Sequence, residues 1–167
     1  MPYYYFKGMF KIRFYNISED YINYLKKVDR QVPNVKYDTV NKFVCGVVLK
    51  VGEFSYYAPI SSKTQKQRTN ILITNKAGKI ISSIKFSFMI PVPIDVLTEL
   101  NFDEIRKSDA KYADLLEEEY FFCKYNAHLI EQKALNVYEI GCNKDHFLNY
   151  TCCNFKKLEG AMLLYEK

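Results

Sequence analysis

The chain has 167 residues, of which 49% are hydrophobic, and it carries a formal net charge of +5. Domains usually hold about 100 to 200 residues, so we expect one compact domain over residues 1–167 with a sizeable core. The six glycines and five prolines are too few for a disordered, collagen-like or linker-rich chain.

The cysteines and the apolar pattern predict a cytoplasmic protein without a membrane partner. No run of about 18 apolar residues marks a membrane span, and the aromatic residues 1–8 lack the layout of a secretory signal. We interpret residues 1–8 as a peripheral extension. The five cysteines are an odd number, and Cys45 and Cys123 lie in apolar segments, where free thiols pack as small hydrophobes. The reducing cytoplasm suits such thiols.

A strand and a helix are predicted near the start of the chain. Apolar and basic residues alternate over residues 10–15, which is typical of a strand with one buried face. Ser18 is a capping residue followed by acids, and the apolar stripe after it predicts a helix from about Glu19 to about Arg30. Pro33 ends the helical pattern.

A hairpin follows and leads into a polar loop. The β-branched apolar run at residues 42–49 predicts a central strand. A turn at residues 50–53 returns the chain as a partner strand over residues 54–58, which we expect to end at Pro59, where donation to the ladder stops. Residues 61–70 are polar and predict a loop.

Strands and then helices are predicted in the rest of the chain. A second hairpin covers residues 71–84, and the apolar residues 86–90 predict a strand that runs up to Pro91. The later apolar spacing is helical. One helical face holds Tyr112, Leu115, Leu116, Tyr120 and Cys123, and another holds Leu129, Ile130, Ala134, Val137 and Tyr138. This order predicts an α+β fold with a largely antiparallel sheet, whereas residues 143–167 receive no assignment.

The charges divide the chain into a basic part and an acidic part. Residues 42–85 hold eight basic residues and one acid, Glu53, whereas residues 95–119 hold nine acids and three bases. A basic stretch of this kind is typical of a surface that binds phosphate.

The loop after Pro59 has residue types that suit RNA cleavage. The ribose 2′-hydroxyl is an internal nucleophile beside its phosphate, so a protein has mainly to align it and stabilise charge. Three hydroxyls can bond the phosphate and four cations can neutralise it: Ser61, Ser62 and Thr64, and Lys42, Lys63, Lys66 and Arg68. Neighbouring cations lower the pKa of a lysine, and a lysine of this kind could also transfer a proton. The alternative is a solvated loop that only aids solubility, since runs of charge usually lie on solvated faces.

Other nuclease chemistries lack matching residues near this loop. His128 and His146 lie outside the basic segment, so we expect no histidine within reach and no paired-histidine ribonuclease. No carboxylate pair that could hold Mg²⁺ stands near the loop. Cys142, His146, Cys152 and Cys153 have a spacing that does not fit common zinc sites. We therefore expect no metal and no other cofactor.

Several motifs carry a family resemblance when they are taken in order. The two most specific are Ala58-Pro59-Ile60-Ser61-Ser62 and Met89-Ile90-Pro91-Val92, and the others are Tyr15-Asn16-Ile17-Ser18, Val32-Pro33-Asn34, Lys42-Phe43-Val44 and the helical positions Tyr112, Asn126, Ile130 and Tyr138. Together they resemble the ToxN/AbiQ/CptN family of endoribonuclease toxins from type III toxin–antitoxin systems. The resemblance covers residues 11–138.

The resemblance implies a fold, an activity and partners. The fold is a single α+β domain with a strongly bent, largely antiparallel sheet. The activity is sequence-selective, metal-independent RNA cleavage that leaves a 2′,3′-cyclic phosphate. The partners are cellular or phage RNA substrates and a repeat-derived, pseudoknotted RNA antitoxin. The toxin processes this RNA, which then blocks the basic groove within a higher-order protein–RNA assembly.

The resemblance also implies functional residues. A hydroxyl pair, a lysine ahead of the central strand and an upstream tyrosine match the family's catalytic positions: Ser61, Ser62, Lys42 and Tyr37. The family loop has a lysine where Thr64 stands here, so Lys63 or Lys66 supplies the ammonium group, and we place Lys63 in the catalytic set. We assign RNA contact to Thr64, Lys66, Arg68, Lys50, Lys76, Lys79, Lys85 and Tyr57.

Two hypotheses from other classes remain open. A non-catalytic RNA-binding module would use the same basic groove and would bind RNA in a salt-sensitive way without cutting it. A protein–protein adaptor would pair the basic segment of one copy with the acidic segment of another.

Overall fold

The computed structural model describes residues 12–34, 36–37, 40–41 and 43–166, with side chains in residues 12–34 and 43–166. Within these ranges the nine strands are β1 (Arg13–Ile17), β2 (Lys36–Tyr37), β3 (Val40–Asn41), β4 (Val44–Val51), β5 (Phe54–Ser61), β6 (Asn70–Thr74), β7 (Ile80–Lys85), β8 (Ile90–Pro91) and β9 (Leu97–Glu99). The five α-helices are α1 (Glu19–Val28), α2 (Phe102–Ser108), α3 (Ala110–Tyr125), α4 (Ala127–Cys142) and α5 (Phe155–Leu163).

Seven strands form one sheet, in which β5 pairs with β4 along one side and with both β7 and β8 along the other. The order is β6-β7-β5-β4-β1-β9, with β8 also paired to β5, while β2 and β3 pair with each other. On the side away from β4, Tyr56 and Tyr57 of β5 pair with β8, and Ile60 and Ser61 pair with β7. All of these pairings are antiparallel. The predicted α+β class with a largely antiparallel sheet is confirmed.

The strand β5 continues through Pro59 and ends at Ser61, so the prediction that it stops at Pro59 is wrong. Pro59 lies between the residues that pair with β8 and those that pair with β7. Its missing N–H therefore falls where β5 changes partner, and the ladder continues beyond it. This extension places Ser61 within the sheet rather than in the loop.

The predicted strand over residues 86–90 is also wrong for most of its length. Phe86–Phe88 forms a single turn of 3₁₀ helix, closed by the bond from the Met89 N–H to the Phe86 carbonyl at 3.1 Å, and only Ile90–Pro91 is a strand. The Cys153 N–H donates to the Ser87 carbonyl at 2.9 Å, and both Phe86 and Ser87 are buried. The alternation of phenylalanine and serine predicted a strand, but the chain forms a turn at these residues inside the core.

The helical region follows the prediction with two corrections. Leu115 and Leu129, which were expected on the buried faces, are exposed, whereas Leu116, Cys123 and Ile130 are buried as expected. Glu119 instead takes a core position on α3. None of the described helices has the length and apolar character that crossing a bilayer requires.

Several of the described elements had no counterpart in the sequence prediction, including the short strands β2 and β3. The short strand β9 pairs with the edge of β1. The single 3₁₀ turn Asn149–Thr151 and the helix α5 lie in the C-terminal segment that received no assignment. The helix α1 ends at Val28, two residues before the predicted Arg30.

A buried carboxylate joins α5 to the sheet. Glu159 Oε2 accepts hydrogen bonds from the phenols of Tyr56 at 2.6 Å and Tyr138 at 2.8 Å. Burial and the bond to Glu159 raise the pKa values of both phenols, so both remain donors. Glu159 thereby satisfies polar groups from the centre of β5 and from α4.

Replacing Glu159 with alanine leaves two buried phenols without an acceptor. We expect Glu159→Ala to lower the free energy of unfolding by about 3 kcal/mol, because each unsatisfied buried donor costs about 1–3 kcal/mol. Urea denaturation followed by circular dichroism measures the change. Glu159→Gln keeps one acceptor oxygen and serves as the control, with a smaller loss. Equal stabilities of the alanine variant and the wild type would contradict this role.

Candidate functional site

The chain between β5 and β6, residues 62–69, forms a loop that we call the basic loop. It carries Lys63, Lys66 and Arg68, and every side chain from residue 62 to residue 68 is exposed. Ser61, at the end of β5, is half-buried beside it. The Lys63 N–H donates to Ser61 Oγ at 3.2 Å. The Ser61 oxygen is therefore an acceptor within the turn, and its O–H can donate to a ligand.

Polar side chains of β6 and β7 hold the basic loop from below. The Ser83 hydroxyl donates to the Lys63 carbonyl at 2.6 Å. The Asn70 side chain donates to the Gln65 carbonyl and accepts from the Gln67 N–H, both at 2.9 Å. Ser83 and Asn70 are buried. These bonds attach the backbone of the loop to the sheet at both ends and in the middle.

Two lysines from outside the loop also bond to it. Lys85 Nζ donates to Gln67 Oε1 at 3.1 Å, and Lys133 Nζ on α4 donates to the Arg68 carbonyl at 3.2 Å. Lys85 is only 8% exposed. Burial lowers the pKa of its ammonium group, and the nearby charge of Lys63 lowers it further.

A buried acid, Glu119, lies on the opposite face of β7 from the basic loop. Successive side chains of a strand point to opposite faces. Ser83 bonds to the basic loop, whereas the preceding Ser82 donates to Glu119 Oε2 on α3 at 2.7 Å. Burial raises the pKa of Glu119 to about 7, although the bond from Ser82 lowers it in part. The strand β7 therefore separates the basic loop from this buried acid.

Several predicted RNA-contact residues lie away from the basic loop. Lys50 pairs with Ser55 at the other end of β5, about 20 Å from Ser61 at the usual rise of a strand. Lys76 and Lys79 lie in the turn between β6 and β7, where Lys76 Nζ sits 5.3 Å from the Phe121 ring centre. None of these three cations belongs to the basic loop.

Tyr57 lies in the core and does not present a face to a ligand. Its ring meets the Tyr15 ring edge-on, with 5.5 Å between the ring centres, and burial raises its pKa to about 12. A Cβ atom on Gly46 would overlap the Tyr57 ring, so the glycine makes room for it. The tyrosine thus supports β5 and is closed to base stacking.

The two upstream catalytic candidates fall outside this description. Lys42 lies outside the described residues, and Tyr37 is described only as part of β2. Their assignments stay predictions from the family resemblance. Thr64 and Lys66 are exposed in the basic loop, as is Ser62.

A stacked aromatic pair beside Arg68, of which Phe147 is exposed and His146 half-buried, was missed by the sequence analysis. The Arg68 guanidinium lies 5.3 Å from the Phe147 ring centre, and the His146 ring stacks on Phe147 at 4.9 Å. Phe147 is 64% exposed. His146 contacts Phe147 and not a residue of the loop, so the expectation that no histidine lies within reach of the loop stays a prediction. No local pattern connects positions 68 and 147, so only the fold could reveal this contact.

The cysteine segment that was weighed as a zinc site contains mostly buried thiols. Cys152 and Cys153 are buried and Cys142 is exposed, and all three are free. Among the described residues, no group of three or more histidine, cysteine, aspartate and glutamate side chains could hold a metal ion.

The fold and the basic loop define an α+β protein whose antiparallel sheet carries hydroxyls and exposed cations at the end of β5. Its sequence matches the family described as "Toxin ToxN, type III toxin-antitoxin system" over residues 13–163. The chain therefore belongs to this family, as the motifs from Tyr15 to Tyr138 predicted.

Named relatives and a solved structure agree with this assignment. The endoribonuclease ToxN of Bacillus thuringiensis subsp. kurstaki is 30% identical over 164 residues, covering 93% of this chain and 84% of that relative. The endoribonuclease AbiQ of Lactococcus lactis subsp. lactis is 30% identical over 174 residues, covering 93% and 90%. A structure of a type III toxin that a non-coding RNA pseudoknot selectively inhibits has a TM-score of 0.86 at 28% identity, covering 93% and 98%.

Asn70 should control the order of the basic loop. We expect Asn70→Ala to speed hydrogen exchange of the Gln67 amide roughly tenfold, because the lost bonds contribute about 1 kcal/mol each to local stability. Amide exchange measured by NMR tests this. The matched control is Asn75→Ala, which removes a similar acceptor from the Lys79 N–H in another turn. Unchanged exchange at Gln67 in Asn70→Ala would show that the loop does not depend on Asn70.

Glu119 should make stability fall as the pH rises. Its pKa is raised in the folded state to about 7, so the folded protein holds a proton that the unfolded chain has already lost. We expect the Glu119 contribution to decrease by about 2 kcal/mol as the pH rises from about 5 to about 8. Denaturation of Glu119→Gln across this range should lack that decrease. Parallel stability curves for the wild type and the variant would contradict the shifted pKa.

Proposed function

We propose that this protein is an endoribonuclease toxin that cleaves RNA in a sequence-selective, metal-independent reaction. The observation that carries the proposal is the basic loop, where the hydroxyls of Ser61 and Ser62 stand beside exposed cations and buried side chains hold the backbone. Membership of the ToxN family, whose named relatives are endoribonucleases, supports the same reaction.

The proposed reaction uses the RNA as its own nucleophile. The 2′-oxygen attacks the adjacent phosphorus and loses its proton, while the bond from phosphorus to the 5′-oxygen breaks and that oxygen gains a proton. The products are a 2′,3′-cyclic phosphate and a 5′-hydroxyl end. Negative charge grows on the non-bridging oxygens in the transition state, and ordered donors and cations stabilise it.

The residues of the loop divide this work between them. Ser61 and Ser62 donate to phosphate oxygens, and Lys63 adds positive charge at the same end of β5. Thr64, Lys66 and Arg68 bind the neighbouring RNA backbone, and Lys50, Lys76 and Lys79 contact RNA that extends beyond the loop. Lys42 and Tyr37 assist in positioning or proton transfer. We assign these roles because both residues match the family motif.

We also propose that an RNA antitoxin controls the enzyme. A related toxin is selectively inhibited by a non-coding RNA pseudoknot, and the exposed cations of the basic loop suit such a ligand. A repeat-derived RNA would be cut by the toxin and then stay bound in a higher-order assembly, while cellular or phage RNA would be the target of the free enzyme.

The free thiols of the described chain suit the reducing cytoplasm.

Cleavage assays with loop variants test the proposed function. We expect Ser62→Ala to lower the cleavage rate by about 100-fold, the usual cost of removing one donor to a developing oxyanion. We expect Lys63→Ala to slow cleavage as well. The 3′ ends should carry a cyclic phosphate, and EDTA should leave the rate unchanged.

Lys27→Ala is the control, because Lys27 is an exposed lysine on α1. If Ser62→Ala and Lys63→Ala both cleave RNA as fast as the wild type does, the site is refuted. Loss of cleavage in EDTA would refute the metal-independent mechanism. Salt-sensitive RNA binding without any cleavage would favour the non-catalytic RNA-binding module instead.

A further inference from the structure

We propose that Lys85 is a further catalytic residue, whose ammonium group contacts the scissile phosphate and supplies the cation that Thr64 cannot provide. This inference rests on the proposed function and adds a residue to its site. Sequence considerations left only Lys63 and Lys66 for that cation, because both belong to the loop itself. The fold brings a third lysine to the same place from β7.

The pairing of β5 with β7 places Lys85 near Ser61. Ser61 lies directly opposite Ser83 in the antiparallel ladder, so the two side chains share one face of the sheet. Lys85 is two residues beyond Ser83 on the same strand and therefore shares that face. Diagonal neighbours in a sheet have Cβ atoms roughly 7–8 Å apart, within reach of a long side chain. The Lys85 ammonium group can thus meet a phosphate that is bound at Ser61.

Lys85 is ordered before any ligand arrives, whereas Lys63 and Lys66 are not. Both loop lysines are exposed, and holding an exposed lysine in place costs side-chain entropy on binding. Lys85 is 8% exposed and already bonds Gln67 Oε1 at 3.1 Å. A cation fixed in advance, where charge develops, contributes most to a transition state.

The surroundings of Lys85 suit an anionic ligand. The like charge of Lys63 acts on its ammonium group. Among the described residues no carboxylate lies within ion-pair distance of it, and Glu119 lies on the opposite face of β7. Burial of a cation is costly without a counter-charge, and a phosphate at the loop would provide one. A lowered pKa is consistent with this unpaired, partly desolvated state.

A purely structural role would leave a different signature. In that case Lys85 would serve only to hold Gln67 and the loop backbone. Gln67→Ala would then reproduce the effect of removing the lysine, and the charge of residue 85 would not affect the pH dependence of the reaction. The two roles are therefore separable by experiment.

The test compares cleavage of one single-stranded RNA transcript by the wild type, Lys85→Met, Lys85→Arg, Gln67→Ala and the surface control Lys27→Met. We expect Lys85→Met to lower kcat by about 100-fold, with melting temperature and RNA affinity near those of the wild type. Lys27→Met should retain the wild-type activity, and Lys85→Arg should recover much of what the methionine variant loses. Gln67→Ala removes only the bond that orders the ammonium group, so it should lose less activity than Lys85→Met.

The pH profile provides the readout that a structural role would not move. The ammonium group is charged below its lowered pKa, so wild-type activity should fall as the pH rises through that value. The guanidinium of Lys85→Arg keeps its charge, so this alkaline fall should disappear in the arginine variant relative to the wild type.

Equal kcat values for Lys85→Met and the wild type would overturn the inference and leave the proposed function intact. A loss in Gln67→Ala as large as that in Lys85→Met, with the same pH profile in Lys85→Arg and the wild type, would also overturn it. A wild-type protein that leaves the transcript uncut, while it is folded and binds RNA, would overturn the proposed function and the catalytic role of Lys85 together.

Discussion

The strand β5 is the constraint on which the rest of the structure depends. It pairs with β4 along one side and with β8 and then β7 along the other, so its backbone is held at nearly every residue. Glu159 accepts from Tyr56 in the middle of this strand and fastens α5 beneath it. Ser61 and the basic loop follow directly from the end of β5. Because the strand is held on both sides, the loop begins at a defined place on the sheet.

The two faces of β7 keep opposite charges apart. Ser82 binds the buried carboxyl of Glu119, while Ser83 and Lys85 bond to the basic loop on the other face. An acid within the loop would neutralise its cations and weaken any contact with phosphate. Two acids of α3 also have a partner on α2, since Arg106 contacts both Asp114 and Glu117 at 2.8 Å. The positive field of the loop is therefore left available to a polyanion.

The elements that sequence predicted well are those with a clear local signal. The helix α1 begins at Glu19, directly after Ser18, with two acids in its first turn. The hairpins of β4 with β5 and of β6 with β7 follow alternating or β-branched runs. Errors arose where tertiary contacts decide. Phe86–Phe88 turns because the C-terminal segment bonds to it. The strand β5 passes Pro59 because two different partners cover its two halves.

The candidate site shows the same division. The basic loop could be located from sequence, because hydroxyls and lysines cluster there without acids and because the motif around Pro59 resembles a known family. The contacts of Arg68 with Phe147 and of Gln67 with Lys85 could not be located. The partners in each contact belong to different segments of the chain. Each segment taken alone has the pattern of an ordinary strand or polar loop, so no local pattern indicates the contact.

Sequence by itself determined the family, the α+β class, the main hairpins and the loop that carries the candidate hydroxyls, since these depend on local patterns and on motifs in order. Only the tertiary structure decided which lysine lies buried beneath that loop, and which aromatic residues flank it. The reason is physical: burial, strand pairing and like-charge proximity arise when β5, β6 and β7 pack together. No window of sequence contains those relations.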